Sequence, residues 1–128
     1  MTAALDEEHG QIVASMNALY DAVDCGTSLS FQRLKMHALE SFFRHNCLEE
    51  ETMMDRDGFI RSRFHKEEHR SLYIALHALE TAILADNQGN VLKLLDKLRD
   101  ALISHVRIED QEVADWHRGC QVPGAAAY

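Results

Sequence analysis

The scarcity of helix breakers constrains this chain more than any other feature. Its single proline is Pro123, close to the C-terminal end, so no residue before it is barred from a helix interior. The signals that remain are turn signals: Gly26, the Asp57-Gly58 pair, and Asn87 to Asn90 with Gly89 inside. Between them, apolar residues recur at three-four spacing, the mark of an amphipathic helix. The pattern predicts four helices, at about Leu5–Asp24, Leu29–Met54, Phe59–Asp86 and Val91–His117. Ile12, Val13, Met16, Leu19, Tyr20 and Val23 form the apolar stripe of the first, and Phe31, Leu34, Ala38, Phe42 and Leu48 that of the second. Phe64, Leu72, Ile74, Ala75, Leu79 and Ile83 do so in the third. Thr27, Ser28 and Ser30 are candidate N-caps for the second helix, and Asn90 for the fourth. Turns this short make consecutive helices antiparallel neighbours, so the expected fold is all-α, an up-down-up-down four-helix bundle over residues 1–117. Residues 118–128, with Gly119, Pro123 and Gly124, are expected to form a flexible tail.

Charge and composition exclude several classes of function. A length of 128 residues with 46% hydrophobic content suits one domain with one core. The formal net charge of -8 argues against nucleic acid and anionic membranes as partners. No run approaches the ~20 apolar residues that span a bilayer. The stretch Met1 to Gly10 carries Asp6, Glu7 and Glu8 and no apolar segment, unlike a secretory signal. Cys25, Cys47 and Cys120 are odd in number and scattered, which reads as reduced thiols and a cytoplasmic location. Eight histidines against one tryptophan point towards metal.

In an up-down bundle the starts of helices one and three share an end with the finishes of helices two and four. His9 lies near the start of the first helix, His45 and Glu49 near the finish of the second. His65 and His69 lie near the start of the third, His105 and Asp110 near the finish of the fourth. Each falls within about a dozen residues, or ~18 Å at ~1.5 Å rise per residue, of that shared end. Five imidazoles and two carboxylates are thus expected at one level of the bundle. The pairs His45/Glu49 and His65/His69 have i,i+4 spacing, which stacks two side chains on one helix face. His105 and Asp110 are five apart, about 140° around an ideal α-helix, and do not chelate by that geometry alone.

The order His9, then His45-x-x-x-Glu49, then His65-x-x-x-His69, then His105-x-x-x-x-Asp110 resembles the pattern of the hemerythrins, including the single-domain bacterial hemerythrins. Leu5-Asp6-Glu7-Glu8-His9 and Glu49-Glu50-Glu51-Thr52-Met53 followed by Gly58-Phe59 are similar to the segments around those ligands, and the resemblance spans about Leu5 to Trp116. It implies a non-haem di-iron protein that binds O2 reversibly as hydroperoxide, with two iron ions per chain and an oxo or hydroxo bridge. By the same resemblance His65, His69 and His105 would hold a filled iron, and His9 and His45 an iron with an open position. Glu49 and Asp110 would bridge them. Imidazole and carboxylate suit iron in both oxidation states. No protein acid or base is needed, so no catalytic residue is expected. Ile12 and Leu102 match the apolar O2 pocket that the resemblance implies. Asn46 and Ala101 stand where relatives often carry Phe and Trp, a difference that bears on how long the O2 adduct lasts.

An oxygen carrier, store or supplier and an O2- or redox-sensing domain of a signalling protein both fit this ligand set. A third reading takes His65-x-x-Glu68-His69 as the inverted zinc-peptidase motif, with Glu68 as general base. That reading leaves His9, His45, Glu49 and His105 without a role. A ferritin-like oxidase wants Glu-x-x-His on two helices, and the chain has no such tetrapeptide. His37, His77 and His117 fall outside the pattern and read as surface or flanking groups. Glu50, Glu51, Glu67, Glu68 and Glu109 read as solvated or supporting charges, and Met53, Met54 and Trp116 as packing at the bundle end. Cys47 reads as a small buried hydrophobe.

Overall fold

A computed structural model describes residues 3–121, with the side chains of residues 3–6, 109, 110 and 121 outside the described set. Helix α1 spans Ala3–Asp24, α2 Leu29–Asp57, α3 Ser62–Leu84 and α4 Gln88–Ser104. A π-helical segment, His105–Glu109, leads directly into α5, Asp110–Gln121. The expected fourth helix is therefore one continuous rod whose winding loosens for a single turn. It also runs past His117, while residues 122–128 of the expected tail lie outside the described residues.

The helix ends follow the local chemistry of the turns. Gly26 takes a left-handed φ of 67°, and Thr27 N–H reaches back to the Ala22 carbonyl at 3.1 Å. Of the three candidate caps it is Ser28 that serves, its Oγ accepting from Phe31 N–H at 3.2 Å. Gly58, with φ 65°, closes α2 through its N–H to the Met54 carbonyl. The third turn differs from expectation. Asp86 takes the left-handed position with φ 55°, a conformation Asp tolerates better than most residues, and Gly89 lies inside α4. Asn87, not Asn90, caps α4: its side chain accepts from Asn90 N–H at 3.3 Å, because the helix begins at Gln88.

The four long helices pack together, α1 on α2, α2 on α3, α3 on α4, and α4 on α1. Their shared core holds Ile12, Met16, Leu19 and Val23 from α1, and Met36, Leu39 and Phe43 from α2. From the other two come Leu72, Leu76, Leu79, Ile83, Val91, Leu95, Leu98 and Leu102. A second cluster of Met53, Met54, Phe59 and Val113, with Trp116 against it, docks α5 on the end of α2. Trp116 Nε1 donates to the Asp57 carbonyl at 3.1 Å, and His117 Nδ1 lies 2.5 Å from Asp57 Oδ2. Met53, Met54 and Trp116 thus pack at this end as expected, whereas His117 is a buried partner of Asp57. No helix among the described residues is long and apolar enough to cross a membrane.

The orientation of α2 is the consequential difference. Phe31, Leu34 and Leu48, expected inside, are exposed. The inward face is instead Gln32, Met36, Leu39, Phe43, Asn46, Cys47, Glu50, Met53 and Met54. Relative to the predicted stripe this is a shift of one residue, or roughly 100° of rotation. The helix is apolar on both faces, so the rotation is set by which stripe fits the other three helices. Gln32 is accommodated because its amide donates to the Thr27 carbonyl at 3.0 Å.

Candidate metal centre

At the level of the bundle where the sequence places its ligands, the structure buries a cluster of four donors: Glu50, His65, His69 and His105. One ligating atom of each lies within 4.8 Å of the others. Glu50, from α2, is fully enclosed at 0% exposure. Its Oε1 lies 3.1 Å from His69 Nε2 and 3.6 Å from His65 Nε2, both on α3. Its Oε2 points the other way, 3.5 Å from Nε2 of His9 on α1. The carboxylate therefore faces two sets of imidazoles, one per oxygen. The His65, His69 and His105 rings cluster at steep angles to one another, with centroids 4.5, 4.8 and 5.0 Å apart.

The π-helical turn explains a spacing that an α-helix does not. In a π turn the backbone closes between residues five apart instead of four, and such turns concentrate at functional sites. His105 opens that turn and Asp110 follows its last residue, so their backbone positions stack about one turn apart. The side chain of Asp110, an expected bridging ligand, lies outside the described residues.

His9, His65, His69 and His105 are brought together as the sequence suggests. His45 and Glu49 are not: their side chains are 64% and 55% exposed, and they face each other across 3.8 Å at the surface. The rotation of α2 substitutes the next residue at each place. Asn46 turns inward and its Nδ2 donates to Glu8 Oε1 at 3.2 Å, and Glu50 takes the central position expected of Glu49. Glu8, which sequence reasoning passed over, is nearly buried and also lies 3.8 Å from His45 through its second oxygen. The sequence signal for Glu50 is its three-four spacing from Met36, Leu39, Phe43 and Asn46, a second stripe that competes with the predicted one.

Of the expected pocket residues, Ile12 and Leu102 are buried, and both border one small gap between α1 and α4 that Asn17 and Arg99 line on its outer side. Ala101 does not face the interior. It is exposed and lines an outer groove with Glu68, Ser71 and Ser104, because Leu98, Leu102 and His105 occupy the inward positions. On the far side of His69, Glu51 Oε2 lies 2.9 Å from Nδ1, and Cys47 is buried next to both. Tyr73 reaches Cys47 from α3; burial, and then Cys47 itself, pushes its hydroxyl well above the usual range.

The donor set fits a metal ion. An ionised carboxylate without solvent is costly unless a cation or proton accompanies it. Among the described residues the partners of Glu50 are histidines alone, so no fixed Lys or Arg charge compensates it. One cation shared by Glu50 Oε1, His65, His69 and His105 satisfies carboxylate and lone pairs together, and nitrogen with carboxylate oxygen suits iron or zinc. No protein-family model, curated protein or solved structure matches the chain.

Proposed function

We propose that this chain is a non-haem di-iron protein that binds O2 reversibly, built as an up-down-up-down bundle like the hemerythrins its sequence resembles. The observation that carries the reading is the two-sided placement of Glu50. Oε1 faces His65 and His69, Oε2 faces His9, and the whole group is closed to solvent. A carboxylate so placed would bridge two cations, with His65, His69 and His105 on one and His9 on the other. Two bound irons would supply the electrons that hold O2.

The protein's own part is to bind, orient and exclude water. Four separate helices, α1, α2, α3 and the α4–α5 rod, carry the ligands, so their positions depend on the assembled core. Phe43 packs edge-on against His69 with centroids 6.1 Å apart, which limits rotation of that ring. Ile12 and Leu102 present apolar surface at the inner side, where a small apolar gas is preferred over water. His9 faces Glu50 Oε2, and the inward residue that α2 presents near it is Asn46. Burial of His65 and His69 at 1% each weighs against the zinc-peptidase reading, which needs an open face for a peptide. Serving as carrier, store or sensor places the same demand on this site.

The test is anaerobic loading with ferrous iron followed by cycles of O2 and argon. The expected result is a visible absorption band that rises with O2 and falls on its removal. A protein that takes up iron but oxidises once, without return, would refute reversible O2 binding.

A further inference from the structure

His69 is held at both ring nitrogens by carboxylates, Nδ1 at 2.9 Å from Glu51 Oε2 and Nε2 at 3.1 Å from Glu50 Oε1. A neutral imidazole has one N–H, so it can donate to one of these oxygens and must turn a lone pair towards the other. A lone pair against a carboxylate at that distance repels, unless a cation lies between them and both donate to it. The two ends differ in surroundings. Glu50 sits in the closed ligand cluster, whereas the Glu51 side chain is 34% exposed, at the edge of the bundle. A proton on Nδ1 therefore satisfies Glu51 and leaves Nε2 for the cation shared with Glu50. The opposite tautomer would put a proton inside the cluster and aim a lone pair at Glu51.

We propose that Glu51 is a positioning residue for the metal centre: its carboxylate accepts the Nδ1–H of His69 and fixes the tautomer and ring orientation in which Nε2 ligates metal. The inference rests on the metal-centre reading but not on the identity of the metal or on O2. Carboxylates that hold the far nitrogen of a metal-bound imidazole typically raise metal affinity ~10–100-fold. Cys47 is the rival user of the same groups, since Cys47, Glu51 and His69 also offer donor atoms within 4.8 Å of one another. In that trio Glu51 would ligate a thiophilic cation instead of accepting the Nδ1–H of His69, so the two uses exclude one another.

Cobalt(II) titration of the metal-stripped protein, its Glu51→Ala and Glu51→Gln variants, and Cys47→Ala tests this. Glu51→Ala is expected to bind cobalt ~10–100-fold more weakly with unchanged helical circular dichroism. Glu51→Gln, which keeps an oxygen for Nδ1–H, should recover most of the loss. The second readout is the ¹⁵N spectrum of the His69 ring in metal-stripped protein at about pH 8. It should show Nδ1–H in the original and Gln proteins, with that preference lost in Glu51→Ala. Equal affinities and an unchanged tautomer in Glu51→Ala would overturn the inference while leaving the metal centre standing. A thiolate-to-cobalt band that Cys47→Ala abolishes would overturn it in favour of the rival site. Failure of the unaltered protein to bind cobalt would remove the metal-centre reading and this inference together.

Discussion

Glu49 and Glu50 are adjacent in sequence and opposite in fate, so removing each in turn measures the rotation of α2 directly. Glu50 is fully enclosed and meets His9, His65 and His69 within 3.1–3.6 Å, whereas the Glu49 side chain is 55% exposed and, among the described residues, meets His45 alone. Loss of a group that merely supports a metal ligand costs ~10–100-fold in affinity. Loss of a ligand should cost at least the upper value, about 100-fold, which is ~2.8 kcal/mol at ~1.4 kcal/mol per decade. Exposed substitutions away from special contacts fall within ~0.5 kcal/mol, a change of about twofold. Glu50→Ala should therefore bind ferrous iron at least about a hundred times more weakly, and Glu49→Ala within about twofold of the original. The assay is anaerobic calorimetric titration, with circular dichroism confirming equal helix content. Loss of binding in Glu49→Ala with retention in Glu50→Ala would refute the orientation of α2 and restore the pairing of His45 with Glu49.

Leu39→Ala, at a fully buried core position, should lower unfolding stability by ~2–5 kcal/mol in urea titrations; a loss under ~1 kcal/mol would mean that α2 does not bury this face. His117→Ala should cost ~1.5–3 kcal/mol by removing the 2.5 Å contact with Asp57, yet leave iron content unchanged; a fall in iron would place His117 in the centre. On the opposite side of α2 from Glu49, Glu40 is pushed up from 4.5 to about 7, first by burial and then by its hydrogen bond and repulsion with Glu80. The folded state thus holds a proton that the unfolded chain releases above about pH 4.5, so this pair's contribution is present below that pH and lost as pH rises through 7. Glu40→Gln should accordingly reduce the fall in urea midpoint between about pH 5 and pH 8, and an unaltered fall would show that the pair does not share a proton.

Much of this architecture is legible in the sequence because breakers and caps act locally. Gly26 and Gly58 stop helices where the pattern predicts, and the inward face of α1 follows from a single apolar stripe; on α3 Leu72, Leu79 and Ile83 are buried as expected, but Phe64 and Ile74 are exposed, and Leu76 takes an inward position instead. His9, His65, His69 and His105 lie at the predicted level, and the structure brings them together. The second helix resisted the same reasoning because it carries two stripes. Phe31, Leu34 and Leu48 compete with Met36, Leu39 and Phe43, and the choice depends on packing against neighbours that periodicity does not contain. Glu50 and Asn46 move inward as a consequence of that choice, and His45 and Glu49 move out. The five-residue spacing of His105 and Asp110 was opaque for a different reason. Sequence geometry assumes an α-helix, and a π turn is a backbone state with no compositional signature here. The third turn failed in a small way: the chain reverses at Asp86 and Asn87, ahead of the predicted Asn87–Asn90, because Asp86 tolerates the left-handed conformation that closes α3.

The central claim is a buried centre that binds two irons through histidine and Glu50. Metal content of protein expressed in iron-rich medium tests it most directly, measured by mass spectrometry against protein concentration. The account predicts about two irons per chain in the original protein and loss of most of that iron in Glu50→Ala with the fold intact. A single tightly bound zinc with no iron uptake, or full iron in the Glu50 variant, would contradict it.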